Sequence, residues 1–140
     1  PMTTSIPSEC ISAINLTESW RRDYKGSAIR PVNGSLNCDT LIGEGRPWFR
    51  FSGEAGNRLL DSCRLLPEWS CGTHLGMWSN AAMPITTGES REIEAYAAYG
   101  SNCKVNTKKL RVMRCSESQY DYIYKYLGNE SCNFGFCGMV

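Results

Sequence analysis

The cysteines constrain this chain more than any other feature. Cys10, Cys38, Cys63, Cys71, Cys103, Cys115, Cys132 and Cys137 are spread along its 140 residues without a repeated C-x-x-C pair. An even number of cysteines without metal-ligand spacing reads as a disulfide framework made in an oxidising compartment. The four bridges allow roughly a hundred pairings, so connectivity stays open from sequence. Each bridge in a small secreted domain contributes about 2–5 kcal/mol, so the framework is a leading stabilising element. Asn15-Leu16-Thr17, Asn33-Gly34-Ser35 and Asn129-Glu130-Ser131 are N-glycosylation acceptor triplets that agree with a secreted or cell-surface location.

The length suits one domain, residues 1–140, with enough chain to bury an apolar core beside the bridges. The formal charge of +1, with scattered Lys and Arg, supplies no basic stripe for a nucleic acid. No apolar run is long enough to span a bilayer. "PMTTSIPSEC" lacks the charged-then-apolar pattern of a signal peptide, so the chain reads as a mature protein or an excised domain.

Residue periodicity points to strands. In "RPWFRFS", Phe49 and Phe51 alternate with Trp48 and Arg50; "SREIEAYAAYG" sets Ile93, Ala95, Ala97 and Tyr99 on one side, and although its alanines and glutamates also permit a helix, the strands that follow favour a strand. "TKKLRVMRC" and "YDYIYKYLG" follow the same period, the latter with Tyr120, Tyr122, Tyr124 and Tyr126 in a row. "ECISAINL" suits one short helix or strand, and the stretch from Cys63 to Gly88 reads as a long bridged loop. The predicted fold is mainly β: a disulfide-rich antiparallel sheet or small sandwich with long bridged loops and at most short helices.

Candidate chemistry is sparse. "GEAGN" lacks the Gly-Lys-Ser/Thr ending of a phosphate loop, and Gly53 and Gly56 read as a corner needing positive φ. His74 is the single histidine, and a hydrolase would have to depend on it. Cys71 and His74 have half the spacing of a zinc site, without a second half. No catalytic residue, metal site or cofactor is therefore expected. The tyrosine row is either a carbohydrate-binding or self-association face, or a packed sheet face, and ordinary burial tendencies favour packing.

In order, "SWRRDYKG", "NCDT", "PWFRFSGEAGNRLLDSC", "CGTHLGMWSNAAMP", "LRVMRC" and "YDYIYKYLGNESCNFGFC" make a combined pattern over residues 19–137. It resembles the cysteine-rich domain that precedes the zona pellucida module in uromodulin and the pancreatic zymogen-granule membrane glycoprotein. The resemblance implies a disulfide-bonded, mainly β unit without catalysis that serves adhesion or glycan presentation. In vertebrate members a glycan near the Met-Trp step acts as a decoy for a bacterial adhesin. Here Asn80 is followed by Ala81 and Ala82, so that acceptor is lost and any glycan role falls to Asn15, Asn33 or Asn129. The expected partner is an extracellular protein or carbohydrate, met on the Trp69–Pro84 stretch by Trp69, His74, Trp78 and Asn80. The alternative is a homo-oligomer or self-assembling subunit of a filament, coat or matrix.

Overall fold

The computed structural model describes residues 6–17, 48–63, 75–99, 102–127 and 134–140. The protein is mainly β, as its periodicity predicts. A short helix α1 (Ser8–Ser12) precedes strand β1 (Ile14–Leu16), so "ECISAINL" forms both of the elements its pattern allowed. Then come β2 (Phe49–Phe51), a 3₁₀ turn (Gly53–Ala55) and β3 (Arg58–Leu59). Strands β4 (Leu75–Trp78), β5 (Ser90–Tyr99), β6 (Asn102–Arg114), β7 (Tyr122–Tyr126), β8 (Phe134–Phe136) and β9 (Gly138–Met139) follow.

Seven strands form one sheet in the order β1-β2-β7-β6-β5-β4-β8, and β3 pairs with β9 in a separate ribbon. The centre of the sheet is antiparallel, whereas β1 on β2 and β8 on β4 are parallel. The expected loop between Cys63 and Gly88 is thus interrupted by β4. "LGMW" has no alternation that announces a strand; long-range pairing with β5 on one side and β8 on the other makes it one.

One sheet face carries the main core. Phe49, Phe51, Met77, Ile93, Leu110, Val112, Tyr124, Tyr126 and Phe136 are all buried there. Phe49 lies at its centre, with ring centroids 5.7 Å from Tyr124 and 5.5 Å from Phe136. Removing a side chain of this kind from water stabilises by about 1.5–3 kcal/mol before ring geometry adds to it.

Two smaller clusters sit beside this core, and each includes a bridge. Cys10, Met113, Cys115 and Ile123 form one, with Trp48 packed against it; Cys10 and Cys115 are bonded. Leu60, Trp78, Ala98, Cys137 and Met139 form the other, with Cys63 and Cys103, also bonded, at its margin. Clusters this small bury little apolar surface, so the covalent links hold them where packing alone would be marginal. Cys137 is disulfide-bonded as well. Cys38, Cys71 and Cys132 lie outside the described residues, and among the described residues no cysteine is free.

The "GEAG" corner is set by backbone, as its glycines predict. Gly53 and Gly56 have φ of 55° and 97°, which L side chains adopt at a cost. A Cβ on Gly56 would also meet the Met139 backbone, whose carbonyl accepts from Asn57 N–H at 2.9 Å. The corner therefore seats the ribbon β3–β9 against the end of β2.

Candidate functional site

The ribbon, the segment after β4 and the start of β7 enclose a cleft of about 350 Å³. Arg58, Asp61, Asn80, Tyr120 and Tyr122 give it its polar and aromatic character, and Leu59, Ala81 and Met83 its apolar part.

Each wall is held from below. Pairing of Arg58 with Met139 fixes β3, and Leu59 N–H donates to the buried Tyr124 hydroxyl at 3.2 Å. Burial pushes the Tyr124 hydroxyl far above the ordinary tyrosine pKa, so it stays protonated and acts as a neutral support. Ser79 fixes the second wall: its N–H donates to Leu60 O at 2.9 Å, and its Oγ donates to Glu94 O at 2.6 Å and accepts from Ala81 N–H at 3.2 Å. These bonds consume Ser79 and leave the neighbouring Asn80 amide exposed at the rim, with no hydrogen bond to a described residue.

The third wall is the β6–β7 turn. Arg114 donates to the carbonyls of Ser116, Glu117 and Ser118, at 2.8, 3.3 and 3.4 Å, and to the Tyr122 hydroxyl at 3.2 Å. Asp121 accepts from Ser116 Oγ and lies 3.8 Å from the Arg50 guanidinium. Held between these, Tyr120 adopts φ 62°, a conformation that costs a bulky side chain about 1–3 kcal/mol. Its ring is thereby brought 3.9 Å from the Arg58 guanidinium, a contact that returns about 0.5–2 kcal/mol.

Arg58 is the least satisfied group in this cleft. Its Nη2 stands 4.0 Å from Asp61 Oδ2, at the outer limit of an ion pair, and its Nε is buried without a hydrogen-bond partner. Leaving such a donor unmet costs about 1–3 kcal/mol. The charges of Arg58 and Asp61 balance, so the cleft offers donors and acceptors without net charge.

The residues expected on the Trp69–Pro84 stretch separate in the structure. Asn80 stands at the cleft rim. Trp78 corrects the expectation: β4 buries it to 5% exposure, and its indole N–H donates to Cys103 O at 2.9 Å. It packs against Tyr96 and offers no open face. Trp69 and His74 lie outside the described residues, as do Asn33 and Asn129. Asn15 is exposed on β1, and Thr17 of its triplet is exposed too. The tyrosine row divides between its two readings. Tyr124 and Tyr126 are packed, while Tyr120 and Tyr122 stay half-buried at the cleft. Arg58 and Asp61 carry no signal in the sequence, because only the long-range pairing of β3 with β9 brings them here.

Among the described residues, no three His, Cys, Asp or Glu side chains converge as a metal site, and no helix is long and apolar enough to cross a membrane.

The chain is similar to known proteins over most of this framework. Residues 49–138 match the model of the uromodulin-like domain. The human pancreatic secretory granule membrane major glycoprotein GP2 is 28% identical over 104 residues, which is 74% of this chain and 18% of that protein. The chain thus spans under a fifth of that relative's length. The matched span holds β2 to β8 and both Cys63 and Cys103, together with every cleft residue, and the chain belongs to the uromodulin-like domain family.

Proposed function

We propose that this chain is a non-catalytic module of a secreted or cell-surface glycoprotein and that it serves adhesion, binding an extracellular protein or carbohydrate through the Arg58–Asn80–Tyr120 cleft. The observation that carries this reading is the cleft itself: an incompletely paired cation, an exposed amide without a hydrogen bond to a described residue, and two half-buried tyrosines held on a bridged scaffold. Preformed sites of this kind combine an apolar wall with a few fixed polar groups. The bridges and the exposed Asn15 acceptor support an extracellular setting, as does the membrane glycoprotein in the relative's name. Tyr124 is locked in its neutral form beneath the cleft, which favours binding over proton transfer there.

Self-assembly is the second reading, favoured by one feature. β7 pairs only with Leu110–Arg114 of β6, and beyond that span no described strand covers the second side of β6 from Asn102 to Lys108. That overhang carries the exposed Lys104, with Lys109 just beyond it, and lysines on a strand edge discourage pairing with another copy. The adhesion reading is therefore preferred.

The test is surface plasmon resonance of the immobilised chain against purified matrix and cell-surface glycoproteins, comparing wild type with an Arg58→Ala/Tyr120→Ala variant. Saturable binding that the variant loses is expected. Equal binding by both proteins would show that the cleft is not the contact face. A concentration-dependent rise in mass by light scattering would move the weight to assembly.

A further inference from the structure

Resting on the cleft as the contact face, we infer that its ligand is an uncharged sugar of mono- to disaccharide size. The volume, about 350 Å³, is near the lower end for small-molecule sites. The polar groups fit vicinal hydroxyls, each of which donates once and accepts twice. Asp61, half exposed, can only accept; Arg58 can only donate; the exposed Asn80 amide does both. The Tyr122 hydroxyl already accepts from Arg114 and keeps its own proton to give.

The aromatic and apolar parts fit the remainder of a sugar. A pyranose has C–H faces that pack on half-buried aromatic rings, and Tyr120 and Tyr122 line the cleft beside Ala81 and Met83, Tyr120 with one ring face already against Arg58. Charge argues against an acidic ligand. Asp61 sits within 4.0 Å of Arg58, the one cation lining the cleft among the described residues, so an incoming carboxylate or phosphate would meet a like charge beside its partner. Arg58 in turn has Nη donors that Asp61, 4.0 Å away, leaves unused, and hydroxyl oxygens would accept from them, while its buried Nε stays out of a ligand's reach.

The experiment is a titration of the full 140-residue chain, isotope-labelled, followed by amide NMR shifts. The probes are methyl glycosides of glucose, galactose, mannose and N-acetylglucosamine, with glucuronic acid and N-acetylneuraminic acid as the acidic arm. At least one neutral glycoside is expected to bind saturably in the millimolar range, with shifts at Arg58, Asp61, Asn80, Tyr120 and Tyr122. Asn80→Ala should weaken it about tenfold, as the loss of a good hydrogen-bonding partner implies. Asn80 is exposed and holds no described bond, so this variant keeps the fold, and its spectrum verifies that.

Binding by the acidic sugars alone, shifts that map away from the cleft, or no saturable binding by any neutral glycoside would each overturn the inference. The two readings fail separately. A glycoprotein partner that loses affinity for the Arg58→Ala/Tyr120→Ala variant, with no sugar bound, overturns the sugar and leaves the adhesion cleft. A partner indifferent to that variant overturns both.

Discussion

Tyr124 shows how one residue joins core, cleft and pH response. Its ring packs against Phe49 and Phe51, and its hydroxyl accepts from Leu59 N–H under the cleft. Burial raises its pKa above the ordinary 10.0, so the folded chain holds the proton where the unfolded chain releases it. The stability this group contributes is whole below pH 10.0 and is lost as pH rises above it. We predict that Tyr124→Phe costs about 0.5–1.5 kcal/mol at neutral pH through the lost bond and flattens the alkaline decline, as urea titrations from neutral to strongly alkaline pH would show. Gly138 is constrained more tightly still. A Cβ there would collide with the Ala55 carbonyl oxygen and press on the Phe51 ring. Gly138→Ala should therefore cost about 1–3 kcal/mol or more in chemical denaturation, because neither backbone nor aromatic core can yield.

Among the elements, legibility in the sequence follows length and period. β5, β6 and β7 are readable because five or more residues let alternation show, and the burial of Ile93, Ala95 and Ala97 on one side matches the spacing. β2 is only three residues long, yet Phe49 and Phe51 flanking Arg50 betray it. β4, β8 and β9 are not readable: each is short and glycine-containing, and exists because a distant strand completes its bonding. The cleft is hidden for the same reason, since the partner of Arg58 in the ribbon lies at the far end of the chain. Of the site, only Asn80 and the tyrosine row stand out in the sequence. Helix α1 and β1 are held by a bridge as well as by the pairing of β1 with β2. Cys10 is bonded to Cys115 across 105 residues, and Arg50 Nη2 donates to Cys10 O at 2.6 Å beside it. A Cys10→Ser/Cys115→Ser variant should lose about 2–5 kcal/mol. In hydrogen exchange the loss should be local, with the Ile14 and Leu16 amides opening first while the paired centre of β5 and β6 stays protected. Uniform loss of protection would show that the bridge supports the whole sheet.

Together the described residues make one aromatic-rich sheet face with two bridge-held clusters beside it and a small polar cleft where the ribbon crosses the start of β7. The eight cysteines and the glycosylation triplets point to this design before any strand is placed, because they report the compartment in which the chain must survive. A framework closed by disulfides outside the cell can be read out by peptide mapping of the protein from a secreting host, under denaturing, non-reducing conditions with glycan analysis. Linked peptides joining Cys10 to Cys115 and Cys63 to Cys103, no alkylatable thiol, and a glycan on Asn15 are expected. Two or more free thiols, or either pair exchanged for another partner, would contradict this framework.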